Sequence, residues 1–309
     1  LLGDLMTRAV AGIILCGMGL GVASPAWAGE PLFGYLYTTD TLPKGQVEIE
    51  QWVTWRNEKI AGDFNQIDER TEVEYGLTDN FQVALYANAT WAKAYHNGPF
   101  GETTPPEPLT YDQPGPDAHY SNSRFTGVSA EAVWRVRSPM LHKDGIGVAV
   151  YLEPTWGARF REVETKLILQ KNFMDDKFVL SANLTYAPEY RLLPDDNDPG
   201  RNSWQLETDT NFGIGASYRF ASKWSGAVEL DNEREYNSLD FTKLSNSGYY
   251  FGPSVHFAGR HFFATLSYLE QLPWASEHSD TLRGAIVGGR VYDNDFERRR
   301  VRLKIGFPF

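Results

Sequence analysis

From about Val47 to the end of the chain, apolar and polar side chains alternate with a period of two residues. In residues 81–91 every odd position is apolar, and Gln82, Tyr86, Asn88 and Thr90 face the opposite way. Residues 204–220 continue the alternation far beyond the five or six residues of an ordinary soluble strand. The pattern predicts long antiparallel strands with one apolar and one polar face.

The last nine residues, 301–309, alternate without a break and finish on an aromatic side chain. A strand whose outer face meets lipid and whose inner face meets a wet lumen needs this pattern. The segment resembles the C-terminal strand of Gram-negative outer-membrane β-barrels. The resemblance implies that Phe307 and Phe309 form the signal read by the barrel-assembly machinery. It also implies contact with outer-membrane lipid and lipopolysaccharide.

Turn-forming clusters divide the chain into about twelve strands, with short and long connections in alternation. The short turns are predicted at 76–80, 174–177, 221–223 and 258–260, and the long loops at 96–124, 193–203, 233–247 and 272–296. Short periplasmic turns and longer extracellular loops are typical of outer-membrane barrels. The predicted fold is therefore all-β: a transmembrane antiparallel up-and-down barrel over residues 46–309.

The first 28 residues have the features of a secretory signal peptide. A basic start precedes an apolar run at 9–23 that is too short to span a bilayer. The small residues Ala26 and Ala28 mark the predicted cleavage site, and the sole cysteine, Cys16, lies in the removed part. Residues 29–45 form a lead-in at the periplasmic mouth. They either fold against that mouth, enter the lumen, or are ordered without a function.

Composition narrows the function. The formal net charge of −11 argues against nucleic-acid binding, which requires a basic surface. Aromatic residues make up 14% of the chain, as expected for girdles at two membrane interfaces. Four tryptophans are predicted to face lipid near the interfaces: Trp91, Trp134, Trp204 and Trp224. No cofactor or metal is expected, because the histidines are scattered without zinc-ligand spacing.

The hairpin at residues 72–83 resembles the strand-turn-strand of transporter-like outer-membrane proteins that include phenol-degradation meta-pathway barrels. The resemblance implies a channel or transporter for passive passage of small solutes, and it assigns no site residues. From the alternation itself, a set of charged side chains is predicted to line the pore. These are Glu48, Glu50, Arg70, Glu72, Glu74, Glu131, Arg135, Glu207, Asp209, Arg219, Glu229, Asp231, Arg302 and Lys304.

Two arrangements of these charges remain open. Opposed acidic and basic walls around a water-filled pore would give mild ion selectivity. Alternatively, the same charges fill a narrow lumen and leave no path. The first and last strands must pair to close the barrel, and Glu48 and Glu50 are predicted to face Arg302 and Lys304 across that seam.

Two alternative functions are kept. His119 and Ser121, in His-x-Ser-Asn, resemble the catalytic segment of outer-membrane phospholipases and lipid A deacylases. That resemblance implies a lipid hydrolase in which His119 activates Ser121, although Ser123 stands where the phospholipases have glycine. The other alternative is a closed structural barrel that acts through its extracellular loops.

Overall fold

The structure, a computed structural model, describes residues 31–107, 109–142, 144–195, 198–275 and 284–309. The predicted signal peptide, with Ala26 and Ala28, lies outside the described residues. Within the described part of the chain, no helix is long and apolar enough to cross a membrane.

Twelve antiparallel strands form one closed barrel, and the predicted fold is confirmed. Each strand pairs with its neighbours in the chain, and the last strand closes the sheet against the first. The barrel strands are β1 (Val47–Asn57), β2 (Asp63–Thr78), β3 (Phe81–Tyr95), β4 (Tyr120–Arg137), β5 (Ile146–Trp156), β6 (Phe160–Phe173), β7 (Phe178–Asp195), β8 (Asp198–Ala221), β9 (Trp224–Tyr236), β10 (Leu244–Ala258), β11 (Phe263–Leu272) and β14 (Arg299–Pro308). Between the last two, β12 (Gly284–Val287) and β13 (Arg290–Asp293) make a separate hairpin.

The two ends of the barrel differ. The β2–β3, β6–β7, β8–β9 and β10–β11 connections are tight turns at one end, where β1 begins and β14 finishes. We call this the short-turn end. The β3–β4 and β11–β14 connections are much longer and lie at the opposite, long-loop end.

The period-two alternation places the outer and inner faces as expected for a barrel. Large apolar side chains such as Leu85, Trp134 and Phe212 are exposed on the outside. Trp204 and Trp224 are also exposed there, and Trp91 is partly exposed. Inside, the buried side chains are mostly polar or charged. An apolar exterior around a polar interior reverses the arrangement of a water-soluble domain.

Two predicted long loops are wrong in extent. β7 and β8 extend through most of 193–203, where Pro194 pairs with Asn202. Likewise β9 and β10 extend into the predicted 233–247 loop and reach Tyr236 and Leu244. Proline, aspartate and asparagine in these segments indicated loops. The strands nevertheless continue through most of both segments, and β9 also pairs with β8 as far as Tyr236.

The predicted charge pairing across the closing seam is also wrong. Glu48 pairs with Pro308 and Glu50 with Gly306, whereas Arg302 pairs with Thr54 and Lys304 with Trp52. The observed register differs from the predicted one because a cross-strand ion pair contributes only about 0.2–1 kcal/mol. Closure of the whole sheet, with one consistent stagger between strands, determines the register instead.

The observed seam register predicts which cysteine pair can be cross-linked. Gln51 and Ile305 are direct partners on the outer face, so Gln51→Cys with Ile305→Cys in a Cys16→Ser background should oxidise almost completely. Gln51→Cys with Val301→Cys is the matched control. Its cysteines lie about 13 Å further apart along the strand, so it should stay reduced. Thiol titration of the folded protein measures both. Preferential cross-linking of the control pair would contradict the register.

Candidate functional site

Residues 31–46 enter the barrel and lie against its inner wall without joining the sheet. We call them the plug segment. Their side chains Phe33, Leu36 and Leu42 are buried in the lumen. The sequence left three placements of this segment open. The structure shows it inside the lumen, at the short-turn end.

One carboxylate holds the start of the plug segment. Glu229 on β9 accepts hydrogen bonds from the backbone N–H groups of Gly34 (2.8 Å), Tyr35 (2.8 Å) and Leu36 (3.2 Å). A carboxylate that accepts several backbone N–H groups is among the stronger hydrogen-bonded arrangements in proteins. Gly34 is required here because a Cβ at this position would lie 2.0 Å from Ser267 Oγ.

Amide side chains of the wall hold the rest of the plug segment. Asn183 Oδ1 accepts from the Tyr37 N–H at 2.7 Å, and Gln170 Oε1 accepts from the Thr39 N–H at 2.6 Å. Gln82 Oε1 accepts from the Leu42 N–H at 2.8 Å. Side chains on several strands therefore satisfy much of the plug backbone, and at its base the Gly45 N–H donates to the Gly76 backbone oxygen at 2.7 Å.

A chamber of about 600 Å³ lies between the plug segment and the long loops. Its floor includes the rings of Tyr35 and Tyr37. Cations from the wall lie over aromatic rings at this level: Arg302 is 4.0 Å from the Tyr35 ring centroid and Arg70 is 4.1 Å from that of Tyr86. Cation–π contacts of this kind immobilise the floor.

Two long loops fold back over the chamber. In the β3–β4 connection, Leu109 packs in an apolar cluster on the inner wall, and Glu107 forms an ion pair with Arg191 on β7. In the β11–β14 connection, Glu297 forms salt bridges with two arginines: its Oε1 lies 3.0 Å from Arg56 Nη1 and 2.8 Å from Arg300 Nε. The long-loop end is thereby narrowed by ion pairs that anchor each loop to the wall.

Charge is distributed unevenly around the chamber. The basic side chains on β1, β2 and β14 are Arg56, Arg70, Arg300 and Arg302, and the acidic ones on β6 to β9 include Glu162, Glu189, Glu207, Asp209, Asp231 and Glu235. Acidic side chains outnumber basic ones among the described residues that line it. Salt bridges join Arg70 to Glu153 and Arg300 to Glu233. In the described part of the chain, Glu162, Asp209, Asp231 and Glu235 form no salt bridge.

The fourteen side chains predicted to line the pore occupy three places. Arg70, Glu207, Asp209, Asp231 and Arg302 line the chamber. The buried side chains at the depth of the plug segment are Glu48, Glu50, Glu72, Glu74, Glu131, Glu229 and Lys304.

The remaining two, Arg135 and Arg219, do not line the chamber. Arg135 Nε donates to Asn80 Oδ1 at 3.0 Å, and Arg219 Nη2 donates to the Asp175 backbone oxygen at 3.4 Å. Both side chains reach neighbouring turns because their strands end at the short-turn rim.

His119 and Ser121 lie near the long-loop end and are both exposed. The His119 ring stacks on Tyr95, with ring centroids 3.8 Å apart. Among the described residues, no hydrogen bond joins the His119 ring to the Ser121 hydroxyl, which is the contact that a serine nucleophile requires of its base.

Several side chains of the site were missed in the sequence. Glu189 and Arg191 continue the alternation of β7, but Pro188 and Pro194 weakened the strand signal. The alternation does place the aromatic side chains of Trp52 and Tyr86 on the inner face, but their part in the site was not predicted. The role of Gln82 and Gln170 as anchors carries no signal in the sequence, because their partners are backbone groups far along the chain.

Removing the Glu229 carboxylate should release the start of the plug segment. Hydrogen bonds to a charged acceptor contribute about 1.5–3 kcal/mol. In Glu229→Ala, amide hydrogen exchange at residues 34–36 should therefore accelerate at least about tenfold. Glu270→Gln, which changes a partly exposed acid on β11, is the control and should not alter it. Unchanged exchange in folded Glu229→Ala would show that the carboxylate does not hold the segment.

Glu297 predicts how the β11–β14 loop responds to acid. Burial acts to raise its pKa, but Arg56 and Arg300 outweigh burial and lower that pKa from 4.5 to about 2. The ionised carboxylate therefore stabilises the fold above pH 4.5, and this contribution is lost as the pH falls towards 2. The melting-temperature difference between wild type and Glu297→Gln should be constant from pH 7 to 5 and shrink below 4.5. A difference that already shrinks between pH 7 and 6 would contradict the assignment.

Solved structures with a similar fold are outer-membrane barrels. The COG4313 outer membrane channel from Pseudomonas putida F1 is 12% identical, with a TM-score of 0.56 over 88% of this chain and 98% of that one. The NanC porin is 9% identical, with a TM-score of 0.48 over 84% of this chain and 98% of that one. The first likeness supports the barrel fold and, at this identity, nothing finer.

A comparison with curated proteins finds no match. A family model matches residues 25–309, which include the plug segment and the whole barrel. The chain therefore belongs to DUF6662, a family of unknown function.

Proposed function

We propose that this protein is an outer-membrane channel for passive passage of small solutes and that the plug segment gates it. The observation that carries the proposal is a closed barrel with a charged chamber of about 600 Å³. At the short-turn end the chamber is closed by a segment that contributes no strand to the wall.

The outer surface supports a location in the outer membrane of a Gram-negative bacterium. Exposed apolar side chains recur on strands all around the barrel, for example Ile49, Leu169 and Leu266. Contiguous apolar surface of this extent is unfavourable in water and favourable in lipid. The signal-peptide pattern and the alternation of apolar and polar side chains in β14 support export to that membrane.

The plug segment can leave without damage to the barrel. It is held by hydrogen bonds to Glu229, Asn183, Gln170 and Gln82 and by the burial of a few apolar side chains. The strands keep all their mutual pairing when it moves. Each hydrogen bond contributes about 1 kcal/mol net, and more where the acceptor is charged, so release requires many contacts to break and is expected to be rare.

The chamber walls support a preference for cations. Acidic side chains exceed basic ones, and the basic side chains on β1, β2 and β14 are largely engaged in ion pairs. The acidic side of the chamber, around Asp209 and Glu235, keeps carboxylates outside any such pair among the described residues. A low-dielectric wall with an excess of one charge concentrates counter-ions.

Single-channel recording in a planar bilayer tests this function. Folded wild type should show rare openings, and Glu229→Ala should raise the open fraction at least about tenfold because the plug loses its charged anchor. Reversal potentials in a salt gradient should show selectivity for cations. Glu270→Gln is the control and should behave as wild type.

Heat-modifiable gel mobility establishes that each variant is folded before recording. If Glu229→Ala accelerates exchange at residues 34–36 and still carries no current, the plug has been released but the chamber is not a transport path. The function as a channel would then be wrong, and the long loops would become the functional surface.

A further inference from the structure

A compact group of acids lies at the base of the first hairpin, away from the chamber. Glu50 on β1 and Glu72 and Glu74 on β2 each offer a carboxylate oxygen, and these oxygens lie within 4.8 Å of one another. All three side chains are buried, and Glu72 is 0% exposed. We call them the hairpin carboxylates.

The strand register forces these acids together. Glu50 is the direct cross-strand partner of Glu72, and Glu48 is the direct partner of Glu74. All of these side chains point inwards. Like charges directly opposite on neighbouring strands destabilise the pairing, and burial increases the repulsion. Two such pairs side by side need a compensating positive charge or a shared proton.

Neutral donors satisfy only part of the cluster. Trp52 Nε1 donates to Glu50 Oε2 at 2.5 Å, and Gln82 Nε2 donates to Glu74 Oε2 at 3.3 Å. Neither oxygen of Glu72 receives a hydrogen bond from any described residue, although both oxygens are buried. Leaving a buried carboxylate without a partner is strongly unfavourable.

The nearby protein cations form no salt bridge with the cluster among the described residues. The Lys304 ammonium lies 3.8 Å from the Trp52 ring centroid and forms no salt bridge with a described carboxylate. Arg70 is bonded to Glu153 at 2.5 Å. The buried, unpartnered oxygens of Glu72 therefore face two further carboxylates without a cation between them.

We propose that Glu50, Glu72 and Glu74 bind one divalent cation, with Ca²⁺ as the best fit. Carboxylate oxygens are the ligands preferred by hard cations. Ca²⁺ takes six to eight oxygens in flexible geometry, which three mono- or bidentate carboxylates can largely supply. Mg²⁺ retains several waters in a strict octahedron, which a buried strand pair accommodates less well.

The site would link the barrel wall to the plug segment. Gln82 Nε2 donates to Glu74, and Gln82 Oε1 accepts from the plug backbone at Leu42. A cation that fixes Glu74 therefore also fixes the anchor that holds the plug base. This inference concerns cation binding and stands whether or not the barrel conducts.

Terbium luminescence tests the site in the folded full chain. After treatment with a chelator, Tb³⁺ should bind with one saturable stoichiometry at the hairpin carboxylates and be displaced by Ca²⁺. The Trp52 indole, hydrogen-bonded to Glu50, should sensitise the emission. Glu72→Gln should weaken binding at least tenfold, and Glu270→Gln should leave it unchanged.

Trp52→Phe separates this site from surface acids. That variant should still bind Ca²⁺ in isothermal titration calorimetry but should lose the sensitised emission. If folded wild type shows no saturable binding, Glu72 and Glu74 share a proton instead of a cation and the proposal is overturned. The same conclusion follows if Glu72→Gln binds Tb³⁺ as tightly as wild type.

Discussion

The pairing of β14 with β1 is the constraint on which the rest of the molecule depends. It leaves the sheet without edges, so each strand has a hydrogen-bonded neighbour on both sides. The seam ends with the Phe309 N–H donating to the Val47 oxygen at 2.8 Å. Because closure requires one consistent stagger around the whole barrel, the register cannot adjust to individual side chains. Glu50 consequently lies opposite Glu72, although attraction between opposite charges would favour other partners.

This constraint explains why the interior needs a plug. The inner faces carry many polar side chains. In a lumen of this width they are buried, and a buried polar group needs a hydrogen-bond partner. The plug segment supplies backbone N–H groups to Glu229, Asn183 and Gln170, and the wall in turn satisfies a backbone that lacks strand neighbours. Wall and plug thus satisfy each other's hydrogen-bonding groups. The chamber is the part of the lumen that the plug segment does not fill.

The sequence carried the fold almost entirely and the site only in part. Alternation with a period of two reports the face of each residue, so the strands and the inward position of Arg70 or Asp231 could be predicted. It does not report the stagger between strands, so the predicted cross-strand partners of Arg302 and Lys304 were wrong. Nor could it place the plug segment, because that segment has no periodicity and its contacts with Gln170 and Glu229 are far apart in sequence.

Two kinds of hydrogen bond hold the molecule together: those between strands and those between the plug segment and the wall. The barrel ladder is cooperative, because loss of one strand exposes edges on both its neighbours. The plug bonds are mostly contacts to side chains of the wall, and at the plug base Gly45 and Gln46 also form backbone hydrogen bonds with Gly76 of β2. Gln82 connects the plug base to the hairpin carboxylates, whose mutual repulsion depends on what lies between them. A cation bound there, as proposed, would therefore also fix the Gln82 side chain that accepts from the Leu42 N–H.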